Sequence, residues 1–252
     1  MTEKDKKELK PFHFWNLKIN PLNYSEIINE IISSIKNQKR ISITYANSNT
    51  LNKIYNNKTL SEKLNLFDII HPDGIGIYRA TRFLFKNIPG FERMTGSDLY
   101  PLLVNECIKN GFSIFFFGHR LKTLNKIQSN LPGLKISGVY EGYGFDNTSL
   151  PETIRVSNPA ILIVGLGQFK QEDWILANKD KLDVPVILAV GDGIKVFAGT
   201  KIRGPAFARR IGLEWFFRLL SNPFKYWFRY TIGNSLFLMR IIKSKMTKFS
   251  NS

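Results

Sequence analysis

The stretch from Ala160 to Trp174, AILIVGLGQFKQEDW, decides how the rest of the sequence is read. Ala160 to Val164 is an unbroken apolar run of strand length, and such a run belongs in a parallel sheet covered on both faces. Gly165-Leu166-Gly167 ends it, and a polar, amphipathic segment carrying Gln171, Glu172 and Trp174 follows. In open α/β sheets the loop after such a strand lies at the carboxyl edge, where ligands bind. Glycines there let the backbone approach a phosphate, and the next helix is expected to offer unpaired N–H groups. Gly-X-Gly alone is equally the mark of a tight turn, so the neighbouring segments have to decide.

They repeat the same order. Ile41–Ala46 reads as a strand with the polar exit Asn47-Ser48-Asn49, before a helix around Leu51–Tyr55. Leu66–Ile70 reads as a second buried strand, ending in His71-Pro72-Asp73-Gly74-Ile75-Gly76, and helical spacing resumes over Ile77–Phe85. After Glu92-Arg93-Met94-Thr95-Gly96, Ser97 is the expected cap of a helix over Asp98–Lys109. Ser113–Phe117, Lys135–Tyr140 and Val186–Val190 are further strands, each closed by a glycine-bearing loop. The pattern predicts a doubly wound, mostly parallel, Rossmann-like α/β sheet over residues 12–200. Upstream, residues 1–11 read as a disordered charged tail and Phe12–Ile19 as an edge strand. Tyr24–Asn37 reads as a helix capped by Ser25.

At 252 residues with 43% hydrophobic content, the chain suits one large domain with an appendage. The single Cys107 excludes a disulfide within the chain and suits a reducing compartment. MTEKDKKELK lacks the apolar segment of a secretory signal, and no apolar run approaches the ~18 residues of a spanning helix. The net charge of +16 is unevenly placed: residues 201–252 hold 5 Lys and 6 Arg against Glu214 alone, a net +10. Their aromatic residues interleave with the cations, a pattern that suits a helical appendage lying on an anionic bilayer surface. Helices packed on the domain with a solvated charged face would read the same way. No nucleic-acid recognition motif is present.

Five side chains at strand ends suit a common cleft: Asn47, Asp73, Arg93, Gln171 and Arg203. Asp73, between Pro72 and Gly74, can act as a general base toward a sugar hydroxyl; capping the following helix is the competing role. Arg93 and Arg203 can meet a diphosphate through paired hydrogen bonds. His13, His71 and His119 have no ligand-like spacing and there is no Asp-X-Asp pair, so no metal and no other cofactor is expected.

Taken together, the Asn47 loop, PDGIGI, ERMTGSDL, FFFGH, ILIVGLGQFKQEDW and FAGTKIRGPAFARRIGLEWFFRLLSNP resemble the bacterial WecG/TagA/CpsF glycosyltransferase family over about residues 12–240. The resemblance implies metal-independent, inverting transfer from a UDP-sugar to a polyprenyl-diphosphate-linked sugar in cell-surface polysaccharide or teichoic acid synthesis. It implies Asp73 as the base and Asn47, Arg93 and Gln171 in the substrate cleft, with Gly165 and Gly167 shaping the nucleotide loop. The family's appendage supplies arginines to the active site and contacts the inner face of the plasma membrane. Arg218 matches the first of these, and Lys225 stands where a second is usual, keeping charge without the guanidinium fork. Tyr45, Phe169 and Lys195 depart from common Thr, Pro and Asp. A homo-oligomer is left open. Competing readings are a non-catalytic nucleotide-sugar-binding scaffold and a nucleic-acid-binding α/β protein.

Overall fold

The computed structural model describes residues 10–85, 88 and 91–250. The expected disordered tail, apart from Lys10 and Pro11, lies outside them. The chain opens with an antiparallel hairpin of β1 (Phe12–Phe14) and β2 (Leu17–Ile19). Alternation sends Phe14, Leu17 and Ile19 into the core. This hairpin is a separate two-stranded sheet, not the edge strand that its alternation suggests. Both strands are three residues long, and Asn20, just past β2, exchanges bonds with Ile70 of the main sheet at 2.9 Å. Helix α1 (Tyr24–Lys36) is capped by Asn23 rather than Ser25. Asn23 and Glu26 form a reciprocal capping box, which leaves Ser25 inside the first turn.

The main sheet contains β3 (Ile41–Ala46), β4 (Ile69–Pro72), β5 (Ser113–Gly118), β6 (Lys135–Tyr140), β7 (Ile161–Gly165) and β8 (Val186–Ala189). All pair in parallel, in the order β4-β3-β8-β7-β5-β6. The flanking helices are α2 (Ser48–Ile54), α3 (Lys58–Leu64), α4 (Ile75–Leu84), α5 (Gly96–Asn110), α6 (Leu121–Asn130), α7 (Leu150–Ser157), α8 (Lys170–Asn178) and α9 (Ile194–Phe197). β7 feeds both faces: Leu162 and Val164 join one core cluster, Ile161 and Ile163 the other. That two-sided burial is what its unbroken apolar run demands. β4 begins later than hydrophobicity suggests, because Leu66 and Phe67 close the turn after α3 through bonds to Lys63 and Leu64. The strand therefore carries His71 and Pro72, and Asp73 stands at its tip.

From Ala206 onward the described elements are helical: α10 (Ala206–Ile211), α11 (Glu214–Ser221), α12 (Pro223–Phe228), a π-helical turn at Arg229–Gly233, and α13 (Asn234–Ser250). α13 returns to the sheet domain. Phe237 and Ile241 are buried in the same cluster as Leu162 and Val164. Arg240 Nη1 donates to the carbonyl of Asn52 at 2.7 Å, and Trp15 Nε1 donates to Ser244 Oγ at 2.9 Å.

Candidate active site

Parallel pairing puts the ends of β3 and β4 side by side, with Ala46 opposite Pro72. Just past β3, Asn47 turns the chain into α2, its Oδ1 accepting from the N–H groups of Asn49 (3.0 Å) and Thr50 (3.2 Å). Just past β4, the Asp73 N–H donates to the carbonyl of Ala46 at 2.7 Å. Gly74 then adopts φ +91°, which its lack of a side chain permits, and starts α4. Asp73 does not cap that helix, since no side chain bonds its first turn. Its Oδ1 instead accepts from the Gly96 N–H, at the first residue of α5, at 3.0 Å.

Asp73, Asn47 and Arg93 line one cleft of about 820 Å³, as three of the sequence-derived residues should. Part of its wall comes from the far end of the chain: Trp215, Arg229, Tyr230, Phe237, Leu238 and Ile241. Arg229 was legible in the sequence only as one cation among many. Its guanidinium carbon lies 5.6 Å from the Tyr230 ring centroid, and its Nε is buried with no hydrogen-bond partner among the described residues. A buried guanidinium N–H without an acceptor suits an anionic ligand.

A second cleft, about 990 Å³, opens over β5, β7 and β8 and is lined by Gly165, Gly167, Gly191, Tyr143, Lys170 and Asp192, among others. Two of its glycines are required for different reasons. A Cβ on Gly165 would stand 2.5 Å from Ile194 Cδ1 and 2.8 Å from the Gly191 carbonyl oxygen. Gly167 has φ +90° and open space around it. Two of the first-turn N–H groups of the helix that follows, and the one just before it, are already bonded. The Gln171 N–H bonds the Gly167 carbonyl at 3.1 Å and the Asp173 N–H the Phe169 carbonyl at 2.9 Å. The Phe169 N–H is taken by Glu172 Oε2. Phe169 itself has φ +74°, a value closed to proline.

Between the clefts lies a buried seam. Gln171 is fully buried rather than lining either cleft: its Oε1 accepts from the Gly191 N–H at 2.7 Å and its Nε2 donates to Glu172 at 2.8 Å. Thr44 Oγ1 donates to the same Glu172 oxygen at 2.8 Å. Burial raises the Glu172 carboxyl above its ordinary value despite these bonds. Burial, with the charges of Glu172 and Asp73 adding to it, raises the Tyr45 hydroxyl as well. On β4, burial holds His71 below the usual imidazole range, with Nδ1 facing the Pro72 carbonyl at 3.1 Å and Nε2 unpartnered. Asn49 Nδ2, donating to Gln168 Oε1 at 2.7 Å, bridges the two loops at the surface.

Arg203 is placed elsewhere. Its Nη2 pairs with Asp98 at 2.5 Å and its Nη1 donates to the Ser97 carbonyl at 3.2 Å, beside the start of α5 and outside the residues lining either cleft. The side chains of Arg218 and Lys225 lie outside the described residues, although α11 and α12 carry their backbones. Lys195 pairs with Asp192 at 2.9 Å on the rim of the second cleft. Among the described residues, no three His, Cys, Asp or Glu side chains are grouped to hold a metal ion.

The chain is 32% identical over 160 residues to the N-acetylglucosaminyldiphosphoundecaprenol N-acetyl-beta-D-mannosaminyltransferase of Bacillus spizizenii, covering 62% of each chain. It is 31% identical over 163 residues to the protein of the same name from Bacillus subtilis, covering 63% of each. The matched region thus spans a little under two thirds of these Bacillus relatives. The like-named Staphylococcus aureus protein is 26% identical over 219 residues, 81% of this chain and 80% of the relative. The profile of the glycosyl transferase WecG/TagA/CpsF family matches residues 12–251, a span that includes both clefts and the helices closing over the first. The chain belongs to the WecG/TagA/CpsF family of glycosyl transferases.

Proposed function

We propose that the protein is an inverting glycosyltransferase that moves a sugar from a UDP-sugar to a polyprenyl-diphosphate-linked sugar at the inner membrane surface. The observation that carries this reading is the first cleft, where one strand-end carboxylate faces cations from two distant parts of the chain. Asp73 takes the proton from the acceptor hydroxyl as that oxygen attacks the anomeric carbon. The bond from that carbon to the UDP oxygen breaks on the opposite face, and the configuration inverts. Arg93 and Arg229 offset the negative charge of the diphosphates, so the reaction proceeds without a metal ion. The second cleft takes the nucleotide, with Gly167 giving the backbone close approach and Tyr143 an aromatic surface. With the Gln171 and Asp173 N–H groups of α8 already bonded, side-chain cations carry most of the charge compensation.

The helices from residue 201 onward form the membrane-contacting appendage. Phe207, Ile211, Leu220, Phe224, Trp227 and Phe228 are all more than half exposed, and Phe224 is 97% exposed. Each basic side chain near an anionic surface adds about 1 kcal/mol, so a +10 segment can hold the protein there at moderate salt. No described helix is long and apolar enough to cross a membrane. The test is UDP release from a panel of UDP-sugars with a lipid-diphosphate sugar acceptor, with and without EDTA. Acceptor-dependent release that survives EDTA is expected. UDP binding without release would favour a nucleotide-sugar-binding scaffold, and abolition by EDTA with rescue by Mg²⁺ would overturn the metal-independent step.

A further inference from the structure

The first cleft does not end at its polar centre. α4 leaves Asp73, α13 leaves Arg229, and the two helices run alongside each other in the same direction. At the near end, a Cβ on Gly76 would stand 3.8 Å from Phe237 Cε1. At the far end, Lys245 Nζ donates to the Phe83 carbonyl at 2.9 Å and lies 5.4 Å from the Phe83 ring centroid. The steps from Gly76 to Phe83 and from Phe237 to Lys245 are nearly equal, so the shared groove is roughly 11 Å long at a rise of 1.5 Å per residue.

Helical spacing decides what lines it. On α13, Asn234, Phe237, Leu238, Ile241 and Ile242 fall on one face; on α4, Gly76, Arg79, Ala80 and Phe83 do. Beyond the first turn the walls are therefore apolar apart from Arg79. Arg79, the one cation on this face of α4, directs Nη2 to the Ile211 carbonyl at 3.4 Å. Phe83, Leu238 and Ile242 stay 49%, 59% and 45% exposed, although Ile241 beside them is buried. A cleft with cations and a carboxylate at one end and an exposed apolar trough at the other complements a diphosphate carrying a hydrocarbon tail.

We propose that the groove between α4 and α13 binds the first isoprene units of the acceptor's polyprenyl chain, so that the enzyme draws the lipid partly out of the bilayer to bring its sugar to Asp73. The assignment rests on the transfer reaction proposed above. It makes the start of the tail a recognition element and not merely a membrane anchor.

The experiment uses the full-length protein in solution, without bilayer or detergent. The acceptors are N-acetylglucosamine diphosphates esterified with methyl, geranyl or farnesyl groups, with UDP release from UDP-N-acetylmannosamine as the readout. kcat/KM should rise roughly 10-fold or more from methyl to farnesyl, chiefly through KM, because each added isoprene buries apolar surface. Leu238→Glu and, independently, Phe83→Glu should collapse the farnesyl-to-methyl ratio toward one. Val156→Glu, an exposed apolar position on α7, should leave that ratio as in wild type. Equal kcat/KM for all tails in solution would overturn the groove, as would a preference that both groove variants retain. A preference seen only with liposomes would assign it to the bilayer surface. A dimer dissociated by Leu238→Glu would assign the trough to a second copy of the chain. Absence of turnover with every acceptor, an undecaprenyl one in liposomes included, would take down the transfer reading and the groove with it.

Discussion

The two clefts lie on the same edge of the same sheet, yet they are built differently. The second is lined by loops of the sheet domain alone, around Gly165, Gly167 and Gly191. The first begins with the loops after β3 and β4 and is completed by helices some 150 residues later in sequence, which bring Arg229, Tyr230 and Phe237. The second cleft therefore exists once the sheet has folded. The cleft holding Asp73 needs α13 docked on α2 and α4, and that docking buries Phe237 and Ile241 in the main core. On the proposed reading, chemistry depends on the C-terminal helices being in place, whereas nucleotide binding does not.

The largest test of this contrast is Asp73→Asn. Turnover should drop by about 10²-fold or more, the range for loss of a general base, while circular dichroism shows an intact fold. Turnover within a few-fold of wild type would remove Asp73 from the chemistry. Next comes Arg229→Ala. Loss of one cation facing the diphosphates should lower kcat/KM by roughly 30-fold, with liposome sedimentation nearly unchanged because the segment from residue 201 carries ten other cations. If liposome binding falls and transfer does not, Arg229 belongs to the membrane surface. Deleting residues 201–252 is a blunter probe, since it also strips Phe237 and Ile241 from the core.

The seam gives smaller effects, on stability. Glu172→Gln replaces one acceptor oxygen by a donor, although all three partners of the carboxylate are themselves donors. A loss of about 1–3 kcal/mol in urea unfolding is expected, with the Phe169 turn loosened. His71 gives a pH signature. Its folded pKa is depressed below 6.5 by burial, so the unfolded chain takes up the proton first. The stability it contributes is full above that value and is lost as pH falls through the folded pKa. The urea midpoint should therefore drop between about pH 7.5 and about pH 5.5, and His71→Asn should flatten that drop. An unchanged slope in the variant would show that other groups set it.

How much of this was legible in the sequence follows the same division. The sheet was, because the apolar run Ala160–Val164 can be satisfied only by burial on both faces. Asn47 and Asp73 were, because residues just past parallel strands converge on one edge whatever their side chains do; Arg93 shares their cleft from the segment between α4 and α5. Gln171 was placed in the right loop but not in the right environment. Sequence shows that it opens a helix, not that the Gly191 N–H, twenty residues on, needs its carbonyl. Arg203 stands apart from both clefts for a similar reason, since Asp98 pairs with its Nη2 from across the fold. Arg229 escaped notice because only the return of α13 to the sheet turns one basic residue among many into part of a wall.

The central claim, that the two clefts divide nucleotide binding from chemistry, is tested most directly by titrating UDP calorimetrically into Asp73→Asn and Gly167→Val. The valine forces a β-branched residue to φ +90° in the second cleft, a strain of about 1–3 kcal/mol. The division predicts that Asp73→Asn binds UDP within about two-fold of wild type while its turnover falls by about 10²-fold or more, and that Gly167→Val binds UDP roughly 10-fold or more weakly. UDP affinity lost in Asp73→Asn and kept in Gly167→Val would place the nucleotide in the first cleft and contradict the division.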